Sequence, residues 1–410
     1  MHTSDNLLYL CLSLDRLDDL QLLLQYENFI LHSCTEGDQS YHSWRRLGDV
    51  ISSLFALGYH RQPDMQPNVP AFLQELRMTA FGRAYSADKN VSIFLGRPPR
   101  LHRRYCSFQL PRATGTTIRG GDRSPLSHPV NWTSDDTFTY VTDTKWSTIC
   151  AILKSDLLDI LEEDDRDQRH RSAKSVIECA HLQWQALPGY LRLDQPLRFY
   201  EMQPFKRDLL VGTKLNYLHT LFLAQLALLN RVNVPSQELI KVSVDILGLA
   251  VEATLLKDTL CNSGTTLVWK VAYYGLAAAG MICLAILNPT LRSTMDSSMP
   301  KVIQDLQVLV AQVETGALVR FEDSNFALLD AATRTIQNLL SRVITGRLPQ
   351  GQAIESLQDP TQDMSIDGDG LWNTWNNHEL QDFEADFWTN LSEHPLLLDI
   401  DTHTGDAEQG

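Results

Sequence analysis

The run Val271–Leu287 (VAYYGLAAAGMICLAIL) holds 17 residues without a single charge. Lys270 precedes it and Asn288-Pro289 ends it. Such a segment has two homes. It is at the short end of the ~17–25 residues that span a bilayer. In a helical protein it can instead be a central helix, apolar all round because other helices cover every side. The second reading requires a body of amphipathic helices large enough to do the covering, and it is the one adopted here, without a membrane.

The rest of the chain supplies such helices. Apolar residues recur at three- and four-residue intervals, and sustained strand alternation is scarce. An all-α fold is therefore expected. Ser4 and Asp5 can cap a first helical region in which Leu7, Leu10, Leu14 and Leu17 share a stripe, continued by Leu20, Leu23, Leu24, Phe29 and Ile30. Gly37 marks a turn. A helix from about Tyr41 to Leu57 ends at Gly58, and one from about Pro70 to Phe94 is stopped by Gly96-Arg97-Pro98-Pro99. Residues 111–137, rich in Gly, Pro, Ser and Thr, read as a long surface loop. Further helices are expected near 138–163, 171–187, 205–231, 236–260, 265–287, 301–319 and 323–346.

Charge divides the chain. The net charge is −15, yet residues 350–410 carry 14 acids and no Lys or Arg, leaving 36 acids and 35 bases before them. Residues 1–347 thus read as a nearly neutral helical domain, 348–370 as a flexible linker, and 371–410 as an acidic tail. The tail interleaves its acids with Trp372, Trp375, Phe383, Phe387 and Trp388. Leu380, Phe383, Phe387 and Leu391 fall at i, i+3, i+7 and i+11, on one helical face. This pattern fits an activation segment that presents its aromatics to a partner's groove. The competing reading is a C-terminal helix docked on its own body.

Chemistry is sparse. The seven cysteines are scattered and form no CxxC, which argues against a thiolate zinc site and for a reducing compartment, cytosol or nucleus. No nucleophile elbow, HExxH, Walker A or dinucleotide-binding fingerprint occurs, so no enzyme, cofactor or metal is expected. His60, His181 and His219 read as isolated structural histidines. The acidic run Glu162–Asp167 reads as a solvated helix end. A basic cluster of Arg97, Arg100, His102, Arg103, Arg104, Arg112, Arg119 and Arg123 is either a patch for phosphate or an acidic partner, or a loop pairing with acids of the body such as Glu162–Asp167; the second is preferred.

One resemblance adds to this. Ser43-Trp44-Arg45-Arg46-Leu47-Gly48 leads through Ile51 and Leu54 to Ala56-Leu57-Gly58-Tyr59-His60-Arg61. Then come Glu75 and Arg77, Tyr85-Ser86-Ala87-Asp88-Lys89, and Ser92 with Gly96-Arg97-Pro98-Pro99. In order and spacing this resembles the fungal transcription factor regulatory domain, the middle homology region of fungal binuclear zinc cluster (Zn2Cys6) factors. Trp184 with Leu187-Pro188 is similar to a further feature of that domain. Phe81-Gly82 stands where the family often has paired Trp. The resemblance implies an all-helical regulatory and dimerisation scaffold, homo- or heterodimeric, in the nucleus. It also implies control of metabolic or secondary-metabolite genes. The family's six-cysteine DNA-binding cluster has no counterpart among these cysteines, which argues against direct sequence-specific DNA binding. Either the chain works through a DNA-bound transcription factor or the transcription machinery, or it is a truncated gene product. The alternative function is a ligand-sensing or scaffold protein with no transcriptional output, since a large helical body can enclose an apolar pocket.

Overall fold

In the computed structural model, Leu267–Leu287 is one helix, and its apolar stretch is wholly buried inside the protein. The described residues are 2–14, 17–37, 40–61, 69–111, 117–118, 126–133, 138–229, 235–261, 266–295 and 297–345, with Trp388 and Leu391 of the tail. They are all-α apart from one antiparallel pairing of Phe108 with Ile118 and Gln109 with Thr117.

In chain order the helices are α1 (His2–Ser13), α2 (Asp19–Glu36), α3 (Tyr41–Ala56), α4 (Ala71–Leu95), α5 (Tyr140–Leu161), α6 (Arg166–Ala186), α7 (Pro204–Ala227) and α8 (Gln237–Leu255). Then follow α9 (Leu267–Leu287), α10 (Pro289–Thr294), α11 (Met299–Glu314) and α12 (Phe326–Ile344). Packing runs from α4 through α5, α7 and α8 to α9. α2 and α3 form a pair beside α4, α6 rests on α5 and α7, and α11 and α12 close over α8 and α9. One apolar cluster joins all these layers.

Local chemistry sets the helix ends. Asp18, Thr139, Asp165, Ser236, Thr266 and Asn288 each accept backbone N–H bonds from the first turn that follows them. These bonds satisfy donors that the helix itself leaves open. Asp18 corrects one expectation: the chain breaks between α1 and α2 instead of continuing as one helical region. At Gly96, φ is +62° and the Arg97 N–H reaches back to the Ser92 carbonyl at 2.9 Å, closing α4 with a left-handed cap.

A second correction concerns residues 111–137, expected as a surface loop. Single residues of it enter the core: Ile118, Leu126 and Val130 are buried, while 127–129 stay exposed. The buried Gln183 amide holds residues 126–130, donating to the Leu126 and His128 carbonyls at 2.9 and 2.7 Å and accepting from the Val130 N–H at 3.0 Å. A polar side chain satisfied three times can anchor irregular backbone inside a core.

Helix α9 is not regular. Val271–Gly275 forms a π-helical turn. Such turns are rare and occur mostly as single widened turns within α-helices, often at functional sites. Here the turn buries two consecutive tyrosines, Tyr273 and Tyr274.

Candidate functional site: a central cavity

The residues of the family-like motif come together, and their contacts are those of a structural clasp. Trp44 is only partly buried and serves as a platform. Arg97 and Arg100 lie over its ring, and Gly48 leaves room for the Arg100 guanidinium, which an added Cβ would meet at 3.2 Å. Asp88 is buried and accepts from the backbone N–H groups of Arg100 and Leu101 at 3.0 and 2.9 Å and from Lys89 at 2.8 Å. It thereby fixes the chain after Gly96, while Pro98 stays exposed. Arg77 does not pair with Asp88. It forks onto Asp19 at 2.8 and 2.9 Å, and this holds the Asp19 carboxyl below its usual range. Tyr59 also donates to Asp19. Gly58 takes φ +75° at the end of α3. The His60 carbonyl receives the Ser107 N–H at 2.7 Å, and burial lowers the imidazole's pKa. Arg61 is exposed; the side chain of Glu75 is half-buried.

The basic cluster is largely absorbed into the body. Arg103 pairs with Asp156 and His102 lies 3.8 Å from Asp159, rather than either meeting Glu162–Asp167. Arg112, Arg119 and Arg123 lie outside the described residues.

In the tail, Trp388 and Leu391 are helical and buried, 1% and 0% exposed, and both belong to the main apolar cluster. In this state they are covered, not offered to a partner, because removing an indole from water outweighs leaving it on an extended segment. Trp372, Trp375, Leu380, Phe383 and Phe387 lie outside the described residues, as does the linker.

A cavity of about 910 Å³ lies between α2, α4, α5, α7 and α9. Small-molecule sites occupy roughly 300–1,000 Å³. Its aromatic walls are Tyr26, Tyr140, Trp269 and Tyr274. Its polar groups stand on helices far apart in sequence: Arg83 on α4, Asp143 on α5, Asp208 on α7 and Lys270 on α9. Lys270 lies 3.7 Å from Asp208, both nearly inaccessible to bulk water. Gly212 of α7 also faces the cavity, and a Cβ built there would touch nothing within 4 Å.

One end of the cavity is a buried polar knot. Lys154 donates to Asn90 at 3.0 Å and Asn216 at 2.8 Å. Tyr273 donates to Asn90 at 3.2 Å and Tyr274 to Asn216 at 3.3 Å. Thus α4, α5, α7 and α9 are tied at one point, and the π turn supplies two of its members. Burial pushes the Lys154 ammonium down to about 7 and drives His219, beside Tyr273 and Tyr274, well below the imidazole range. Burial raises the Asp143 carboxyl, with Arg83 and Lys270 pulling it back. Among the described residues no group of three His, Cys, Asp or Glu could hold a metal.

None of these cavity residues belongs to a motif, and their spacing carries no signal. What could have marked them is polarity out of place: Asn90, Lys154 and Asn216 on helical faces otherwise given to the core, and Gly212 inside a helix.

No family model matches the chain, and neither does any curated protein or solved structure.

Proposed function

We propose that the chain is a regulator of transcription that works through a DNA-bound partner in the nucleus, with the helical body controlling an acidic–aromatic tail. The observation that carries this reading is the burial of Trp388 and Leu391 in the body's apolar cluster. The tail has the composition of an activation segment, and its output would depend on release from the body. The resemblance over residues 43–99 supports the same role and the expectation of metabolic target genes.

The test fuses residues 348–410 and the whole chain to a heterologous DNA-binding domain. The tail alone should activate a reporter, and the whole chain less so. A tail fusion that is expressed and no more active than the DNA-binding domain alone would sink the proposal.

The cavity favours a second reading, in which the body senses a small molecule. That reading needs no transcriptional output, and a ligand that raises thermal stability would support it through preferential binding to the native state.

A further inference from the structure

The cavity wall carries two opposite charges that form no ion pair among the described residues. Arg83 spends its Nε on the Thr144 hydroxyl at 3.1 Å and lays its guanidinium over the Tyr140 ring at 5.3 Å. No carboxylate of the described residues lies within ion-pair distance of it. Asp143, the residue before Thr144, faces the same space; its carboxyl takes no hydrogen bond and no ion pair from the described residues, and Arg83 and Lys270 act on it only through space. The two are neighbours but not bonded to each other. Leaving such a pair beside a low-dielectric wall is unfavourable unless something else completes it.

Two further features point to an occupant. Gly212 sits in the middle of α7, where glycine costs about 1 kcal/mol relative to alanine. No neighbouring atom demands it there; what it does is keep the wall open. Beside the uncharged Cys34, Tyr140 and Ser324, the exposed side chains at the rim are the acids Glu27, Asp258 and Asp323. They would repel a free dianion at the mouth and tolerate a molecule that also carries positive charge.

We infer that the cavity binds an aromatic zwitterion: its carboxylate on Arg83, its ammonium on Asp143 and its ring among Tyr140, Trp269 and Tyr26. A planar guanidinium with both terminal nitrogens open matches a carboxylate in two parallel bonds. An ammonium satisfies Asp143 and, beside aromatic faces, gains from their negative quadrupole. A ligand with only one charge leaves the other protein charge unmatched, so both ends are needed together. This inference rests on the ligand-sensing reading of the cavity and not on the transcriptional role.

The test uses the full chain, titrated calorimetrically with L-tryptophan, with indole-3-propionate, which lacks the amine, and with tryptamine, which lacks the carboxylate. L-Tryptophan should bind at least about tenfold more tightly than either, as expected for one charged hydrogen-bonded contact. Asp143→Asn should erase its advantage over indole-3-propionate, and Arg83→Gln its advantage over tryptamine. Gly212→Leu, which fills the open wall, should abolish binding, while Gly212→Ala should keep the fold and raise its thermal midpoint through the gain in helix propensity. Should Gly212→Leu fail to fold, the two charge variants still decide. Equal affinity for all three indoles, or tryptophan binding that survives in both charge variants, overturns the inference. 8-Anilinonaphthalene-1-sulfonate separates the two levels. If the dye binds, is excluded by Gly212→Leu, and tryptophan does not bind, the cavity reading stands and the zwitterion falls. If neither binds, both fall.

Discussion

The guanidinium of Arg100 stands 3.6 Å from the centroid of the Trp44 ring and donates from Nη1 to the Trp44 carbonyl at 2.7 Å. The motif tryptophan is therefore held by ring and backbone at once. Removing either partner should loosen the junction of α3 with the segment after α4. Chemical denaturation of Trp44→Ala, Arg100→Ala and the double variant should give a coupling of about 1–2 kcal/mol, the value of a partly desolvated cation–π contact. Strict additivity would show that the stacking is incidental.

Lys154 gives the protein a distinct pH dependence. Its folded pKa is about 7, below its free value of 10.5, because burial disfavours the ammonium. Between these values the unfolded chain binds more protons than the folded one. Stability should then rise with pH above about 7, by at most about 1.4 kcal/mol per pH unit from this residue. Below about 7 the contribution is flat. The comparison is urea unfolding of wild type and Lys154→Met at pH 7 and 8.5, below the range in which the buried thiols would interfere. The variant should lack part of the rise; an unchanged slope refutes the assignment.

Gly82 sets the approach of α4 to α5. A Cβ there would meet Thr148 Oγ1 at 2.5 Å and Thr144 Cγ2 at 3.1 Å. The first atom cannot swing away freely, since Thr148 donates to the Thr144 carbonyl at 2.7 Å. Gly82→Ala should cost about 1–3 kcal/mol through overpacking, despite the gain in helix propensity. Adding Thr148→Ala should recover much of it, read as the midpoint of thermal unfolding.

Trp388 is among the largest fully buried side chains. Trp388→Ala should destabilise the body by about 3–5 kcal/mol if the contact is part of the same cooperative unit. If the tail undocks locally instead, global stability stays unchanged and limited proteolysis cuts the tail faster. A variant identical to wild type in both measurements would show that the tail is not held by this side chain.

Thiol reactivity should split by burial. Cys34 and Cys261 are exposed, whereas Cys106, Cys150 and Cys283 are buried. Burial pushes the latter three up to about 11, 12 and 12. Since the thiolate is the reacting form, a native-state titration with a disulfide reagent near pH 8 should label the exposed pair promptly. The three buried thiols should wait for denaturant.

Helix positions were legible in the sequence because a helix is a local object. The expected Tyr41–Leu57 and Pro70–Phe94 appear as Tyr41–Ala56 and Ala71–Leu95. The break at Asp18 was missed because Leu14, Leu17 and Leu20 keep the apolar stripe running across it, while the decisive bond is a single cap to Gln21. The burial of Leu126 and Val130 was missed because Gln183, more than fifty residues away, supplies the bonds that allow it. The cavity was illegible for the same reason: Arg83, Asp143, Gly212 and Trp269 meet only after four helices pack.

The sequence by itself determined the secondary structure class, most helix ends and the separation of an acidic tail from a neutral body, since periodicity, caps and net charge act over a few residues. It also placed Val271–Leu287 as a central buried helix, without showing which helices cover it. Only the tertiary structure decided which helices cover that run, that the motif residues clasp backbone, that Trp388 lies inside the body, and that Arg83 and Asp143 face one cavity. Each of these depends on side chains brought together across long loops, where burial strengthens electrostatics and exacts the full cost of any group left unpaired.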